Sequence, residues 1–161
     1  MSQDFYLGNP NLKKVGTEIQ FTKDQIQEYL KCKEDPVYFA MTYIKIISLD
    51  EGIVPFKMWD FQQELIESFH ENRFNIAKLP RQTGKSTTCV SYLLHYILFN
   101  DNVNVGILAN KLSTARDLLG RLQLAYEQLP MWLQQGIVVY NKGSMELENG
   151  SKILAASTSA S

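Results

Sequence analysis

The sequence Gly84-Lys85-Ser86 lies between a strand-like segment and an apolar helical segment, and this arrangement constrains the fold more than any other feature. Hydrophobic alternation over Arg73–Leu79 predicts a β-strand. From Thr87 to Phe99 nearly every side of the helix is apolar, which predicts a helix buried against a sheet. A strand that turns through glycine into a buried helix is typical of α/β proteins with parallel sheets.

The order of strand and helix repeats further along the chain. Val103–Ala109 predicts a second strand, and Lys111–Leu129 predicts an amphipathic helix that ends before proline. Three strand-like pieces follow at residues 136–140, 144–147 and 152–156, and the Asn149-Gly150 pair between the last two predicts a hairpin turn. We therefore expect a parallel sheet flanked by helices, with the sheet incomplete.

A small helical region is predicted in front of this α/β unit. Residues 1–20 lack periodicity and indicate an arm or linker. Thr22 and Gln25 fit a capping box at a helix start. Asp35-Pro36 fits the start of a second helix that continues to Ile47. A third amphipathic helix, from about residue 59 to 71, belongs to the next unit, so the predicted domains are 1–50 and 51–161.

Composition and charge leave the class of partner open. The 161 residues are 45% hydrophobic and carry a formal net charge of −1, so any basic surface has to be local. Cys32 and Cys89 are far apart and lack metal-ligand spacing, which indicates reduced thiols. The sequence contains neither a signal-peptide pattern nor a membrane-length apolar run. We expect a cytoplasmic protein without a membrane partner.

Residues 79–86 have the chemistry of a phosphate-binding loop. The first turn of a helix has unpaired N–H groups and the positive end of the helix dipole. Gly84 permits close approach, Lys85 has the reach for the β- and γ-phosphates, and the Ser86 hydroxyl is a ligand for Mg²⁺. Leu79 replaces the first glycine of the general pattern. The cofactors predicted are ATP and Mg²⁺, bound by Pro80, Arg81, Gln82, Thr83, Gly84, Lys85, Ser86 and Thr87.

Two further side chains are candidates for this site. Arg81 has the charge to act as an arginine finger during phosphoryl transfer, but it equally suits an ion pair with an acidic neighbour or phosphate binding without catalysis. The Gln62 amide matches the donor and acceptor of an adenine edge. From the pattern alone, a surface glutamine on an amphipathic helix is favoured. His70 and His95 are isolated and predict no ligand role.

Several of these stretches resemble the large terminase subunit of tailed bacteriophages, and its T-even type is the nearest likeness. They are Trp59–Gln62, the loop at Leu79–Ser86, Val105–Lys111, and parts of the segment 129–151. The resemblance covers roughly residues 35–161. Its most specific element is the arginine-containing loop, which lacks the first glycine in that family as well.

The resemblance implies a P-loop NTPase of the RecA-like or helicase-like type. The family's large subunit is an ATPase motor that packages double-stranded DNA into the capsid, and a separate endonuclease domain cuts concatemeric DNA. The implied partners are DNA, the portal protein, the small terminase subunit and other copies in a ring. The implied location is the host cytoplasm and, transiently, the procapsid portal. By this resemblance Gln62 contacts adenine, Arg81 and Lys85 are catalytic, and Ser86 binds Mg²⁺.

Some features of the family pattern are missing. Lys57 and Pro80 stand where some relatives have glutamine and serine, and no apolar run ending in Asp-Glu follows Ser86. Hydrolysis needs acidic residues for Mg²⁺ and for the attacking water. We therefore expect the N-terminal part of a larger protein, which by itself binds nucleotide weakly and does not hydrolyse it. Two alternatives stay open: a superfamily 2 helicase or translocase, and a non-catalytic nucleotide-binding fragment.

Overall fold

Helices and strands alternate along the part of the chain that the computed structural model describes, residues 4–48 and 50–158. The helices are α1 Lys23–Glu34, α2 Pro36–Tyr43, α3 Asp60–Glu71, α4 Lys85–Phe99 and α5 Leu112–Glu127. The strands are β1 Lys45–Ser48, β2 Gly52–Pro55, β3 Asn104–Ala109, β4 Ile137–Tyr140, β5 Ser144–Leu147 and β6 Lys152–Ser157. A single 3-10 turn at Tyr6–Gly8 precedes them. Within the described ranges, no helix is both long and apolar enough to cross a bilayer.

The two N-terminal helices begin where their capping signals predict. The Thr22 hydroxyl accepts from the Gln25 N–H at 3.2 Å, and the Gln25 side chain accepts from the Thr22 N–H at 3.0 Å. Asp35 caps α2 by accepting from the Tyr38 N–H at 2.8 Å, with Pro36 in the first helical position. Each contact satisfies an N–H group that the helix itself leaves unpaired.

Helix α2 ends earlier than the sequence predicts. It stops at Tyr43, and residues Lys45–Ser48 form strand β1 instead of further helix, paired antiparallel with β2. The prediction of a helix through Ile47 is therefore wrong. Ile46 and Ile47 are β-branched and lose side-chain freedom in a helix, whereas a strand accommodates them. The hairpin of β1 and β2 spans residue 50, where the sequence predicts a boundary between two domains. That boundary stays a prediction.

The main sheet is mixed. Its strand order is β3-β6-β5-β4, in which β3 and β6 run parallel and the other two pairs are antiparallel. The hairpin predicted at Asn149-Gly150 is confirmed, with Gly150 at φ 79°. The expected parallel arrangement holds for the first pair only, because short connections force β4, β5 and β6 into antiparallel hairpins.

Helix α5 covers one face of this sheet and separates it from α4. It packs against β3 and β6, while α4 packs against α5 and against α2 and α3. Ile107, Ile153 and Met145 from the sheet are buried with the helices in one apolar core. On the opposite face Leu108 and Leu154 are more than half exposed. The helices therefore flank the sheet on one side within the described residues.

The strand predicted over Arg73–Leu79 is not a strand in the structure. Residues 74–80 have no regular secondary structure, and Ile76 and Phe74 are exposed. Alternating hydrophobic residues favour a strand, but a strand also needs a neighbour to bond its backbone groups. No described strand lies next to this segment. The loop therefore follows an irregular, mostly solvent-exposed segment rather than a sheet strand.

The N-terminal arm is tied to the sheet. Glu148 accepts from the Gly136 N–H at 2.8 Å and from the Gly16 N–H at 3.2 Å, and it forms an ion pair with Lys13 at 3.4 Å. The backbone hydrogen bonds and the nearby ammonium outweigh the desolvation of the carboxylate and lower the pKa of Glu148. Lys13 and Gly16, within the segment predicted as an arm or linker, are thus bonded to Glu148, which directly follows β5.

Candidate functional site

The loop at residues 80–84 turns tightly into helix α4. Gln82 and Gly84 both adopt left-handed backbone conformations, with φ of 62° and 74°. The Thr83 hydroxyl donates to the Pro80 carbonyl at 3.0 Å and closes the turn. A left-handed conformation suits glycine but strains a residue with a side chain, such as Gln82. Such strain persists only where surrounding contacts hold the backbone in place.

The N-terminus of α4 has N–H groups without helical partners. Gly84 is the N-cap residue and supplies no side-chain acceptor. The Thr88 N–H is paired with the Gly84 carbonyl at 3.0 Å, four residues back. The N–H groups of Lys85, Ser86 and Thr87 therefore precede the helical hydrogen-bond ladder. These groups and the positive end of the helix dipole make this turn suitable for an anion.

The Lys85 ammonium lies over the same loop. It donates to the Leu79 carbonyl at 3.0 Å and also contacts the Pro80 carbonyl. Among residues 4–48 and 50–158, the ion pairs are formed by other lysines. A carbonyl oxygen is a weaker partner for an ammonium than an anionic oxygen is. The loop therefore carries a cation whose charge is not neutralised by a described carboxylate.

Arg81 and Ser86 complete the loop predicted from the sequence. Arg81 is exposed and forms no ion pair with any carboxylate in the described part of the chain. The structure thus gives no support to the alternative in which Arg81 pairs with an acidic neighbour. Ser86 is half-buried in the first turn of α4. The predicted residues Pro80 to Thr87 therefore cover the loop and the first turn of α4, and Arg81 is exposed within it.

Gln62 is buried, and both ends of its amide are bonded. Its oxygen accepts from the Trp59 N–H at 2.9 Å, and its nitrogen donates to the Thr83 carbonyl at 3.1 Å. Only 3% of the residue is exposed, so the prediction of a surface glutamine is wrong. Gln62 is the third residue of α3 after the N-cap Trp59. Its side chain reaches back to the N-cap N–H as the glutamine of a capping box does, but Trp59 has no side-chain acceptor, so the sequence carries no complete capping-box signal.

The acidic residues that follow Ser86 are mostly engaged away from the loop. Three have partners elsewhere: Glu127 with the Tyr140 hydroxyl at 2.7 Å, Glu146 with Lys152 at 3.1 Å, and Glu148 with the Gly136 N–H. Burial and the bond to Glu127 raise the pKa of Tyr140. These contacts place no carboxylate beside Ser86. His95, in turn, is buried against Phe39 and Phe99 rather than at the loop.

No protein-family model matches the chain. The loop brings together a cation, a left-handed glycine and the start of a long helix. Gln62 is joined to it by a hydrogen bond, whereas His70 and His95 are not part of it.

Proposed function

We propose that this chain binds a nucleoside triphosphate with Mg²⁺ at the N-terminus of α4. One observation carries the proposal: the Lys85 ammonium and the uncapped first turn of α4 meet at a turn that Gly84 opens with φ of 74°. This combination of cation, N–H donors and small residue is what a phosphate group requires. We further propose that the fold is of the P-loop NTPase type, RecA-like or helicase-like.

Each loop residue has a role in this proposal. The N–H groups of Lys85, Ser86 and Thr87 donate to phosphate oxygens, and the Lys85 ammonium neutralises their charge. The Ser86 hydroxyl ligates Mg²⁺, which, when bound, screens the negative charge of the phosphates. Arg81 is exposed and unpaired with any described carboxylate, so it is available to stabilise charge on a transferred phosphoryl group.

The wider function that we propose is the ATPase module of a phage terminase large subunit, which drives packaging of double-stranded DNA. Support comes from the sequence: the arginine-containing loop without its first glycine, and the Trp59–Gln62 stretch ahead of it. The portal protein, the small terminase subunit and a homo-oligomeric ring in the host cytoplasm belong to this proposal. A reading frame that continues beyond Ser161 into an apolar run ending in Asp-Glu, and later into an acidic nuclease motif, would strengthen it over a superfamily 2 translocase.

A binding role without turnover is the second candidate for this chain alone. The engagement of Glu127, Glu146 and Glu148 elsewhere favours it, because hydrolysis needs a carboxylate to complete the Mg²⁺ site and another to orient water. We expect the purified 161-residue chain to bind MgATP but to release no phosphate above background. Steady phosphate release that disappears in Lys85→Ala would contradict this expectation.

Replacing Lys85 with alanine is expected to weaken MgATP binding by at least about tenfold, because a charge-assisted contact to phosphate is lost. Isothermal titration calorimetry on the 161-residue chain measures this directly. Lys142→Ala is the matched control, since Lys142 is an exposed lysine in the turn between β4 and β5. Equal affinities of the Lys85→Ala and Lys142→Ala chains would refute phosphate binding at this loop.

A further inference from the structure

The side chain of Gln62 connects two backbone segments that are distant in sequence. Its oxygen holds the N–H of Trp59 at the start of α3, and its nitrogen holds the carbonyl of Thr83 inside the loop. Gln62 itself is buried, and both bonds are at least partly shielded from solvent. Breaking them without replacement leaves buried polar groups unpaired, which is costly.

Gly84 makes this connection possible. A Cβ atom added at Gly84 lies 2.5 Å from the Gln62 amide nitrogen, closer than two such atoms can approach. The absence of a side chain at Gly84 therefore serves two purposes: it permits φ of 74° and it leaves room for the amide. The loop and Gln62 fit each other at this point in the described structure.

We propose that Gln62 is a positioning residue that sets the conformation of the phosphate loop through the Thr83 carbonyl. The proposal rests on nucleotide binding at the loop, and it differs from a contact between Gln62 and the base. Each end of the amide already holds one backbone partner, so only its second N–H and its second lone pair remain for a base edge. Loss of the bond to Thr83 frees the turn that aims the first N–H groups of α4.

This role predicts that Gln62 affects binding of the phosphate chain itself. Inorganic tripolyphosphate has the phosphates of ATP but no base, so it separates the two roles. In the purified chain, Gln62→Met is expected to weaken binding of both MgATP and magnesium tripolyphosphate by about tenfold, the effect of roughly one lost hydrogen bond. Gln63→Met is the matched control, because Gln63 is the adjacent glutamine on α3 and is less buried.

A second variant keeps the start of α3 intact. In Gln62→Glu the side chain still accepts from the Trp59 N–H, as in a common capping box, but it has no donor for the Thr83 carbonyl. We expect the same loss of affinity for both ligands. Gln63→Glu carries the same added charge and controls for its repulsion of phosphate. Thermal unfolding followed by circular dichroism establishes that each chain is folded.

Trp59 provides an independent readout of the connection. The chain has two tryptophans, so Trp132→Phe leaves Trp59 as the sole one, and its side chain is 72% exposed. Tripolyphosphate has no base to stack on an indole. A change in Trp59 emission on adding it therefore reports a signal passed through Gln62 from the loop. We expect that change in the Trp132→Phe chain and its loss when Gln62→Met is added.

The outcomes separate the positioning role of Gln62 from nucleotide binding at the loop. Equal losses for both ligands, together with the emission change, support the positioning role. Weaker binding of MgATP with tripolyphosphate binding unchanged would overturn it in favour of a base contact. Unchanged affinity for both ligands, or no emission change at saturating tripolyphosphate, would also overturn it. A chain with Gln62 intact that binds neither ligand would refute nucleotide binding itself.

Discussion

Replacing Leu119 with alanine is expected to lower the free energy of unfolding by about 3 to 4 kcal/mol, as for other large buried aliphatic residues. Leu119 is fully buried on α5, the helix that packs against β3 and β6 on one side and against α4 on the other. Truncation leaves a cavity in the middle of this layered arrangement. Urea unfolding followed by circular dichroism measures the loss.

Leu124→Ala is the matched control, because Leu124 lies on the same helix and is 37% exposed. Its truncation removes less buried surface, and we expect a loss of about 1 kcal/mol or less. Similar losses for the two variants would contradict the position of α5 between the sheet and α4.

We expect His95 to make the protein sensitive to acid. Its Nε2 atom lies 2.8 Å from the Cys32 carbonyl, and since a carbonyl only accepts, Nε2 carries the proton of the neutral ring. Nδ1 is buried and has no hydrogen-bond partner among the described residues. Protonating the ring would therefore place a charge at an unpaired buried atom. Burial lowers the pKa of His95 to about 4. Hydrogen bonds with the backbone of Cys32 and Lys33 oppose this shift in part, and the nearby His70 adds to it.

Stability is therefore expected to fall as the pH falls from about 6.5 towards 4. Above this window His95 is neutral in both the folded and the unfolded chain. Within it the unfolded chain binds a proton that the folded chain does not, so acid favours unfolding. The contribution is on the order of 3 kcal/mol across the window. Urea unfolding at pH 7, 5.5 and 4.5 measures it.

Two variants separate His95 from the other groups that titrate in acid. In His95→Gln the side-chain amide still donates to Cys32, but it does not titrate, so the loss of stability across this window is expected to shrink. His70→Gln removes an exposed histidine and is expected to keep most of the loss. Identical pH profiles for the unmodified chain and His95→Gln would contradict a buried neutral His95.

Helix starts were predictable because their signals are local. Thr22 and Asp35 each satisfy N–H groups within the next turn of chain, and both helices begin beside them. The strand hairpin after α2 was missed, although the sequence Asp50-Glu51-Gly52 between two isoleucine-containing runs is a turn signal. The helical periodicity of α2 continues through Ile47 in the sequence, and a helix and a strand compete closely over so short an apolar run.

The segment Arg73–Leu79 is predicted as a strand but is not one in the structure. Its alternating pattern suits a strand, yet within the described residues it has no paired neighbour and remains exposed. Strand formation depends on a partner that is remote in sequence, and no pattern within seven residues reports whether that partner is present. Local patterns likewise do not report which strands of the main sheet pair in parallel. A parallel sheet is predicted, but only the pairing of β3 with β6 is parallel.

The sequence by itself determined which groups the proposed phosphate loop contains, because a glycine, a lysine and the first N–H groups of a helix lie within one turn of chain. It also determined where α1 to α5 begin, to within two residues. Only the tertiary structure decided that Gln62 is buried against the Thr83 carbonyl, that Lys85 lies over Leu79, and that Arg81 faces solvent. The burial of Gln62 depends on how α3 packs against α4, which is a contact between segments that no local pattern specifies.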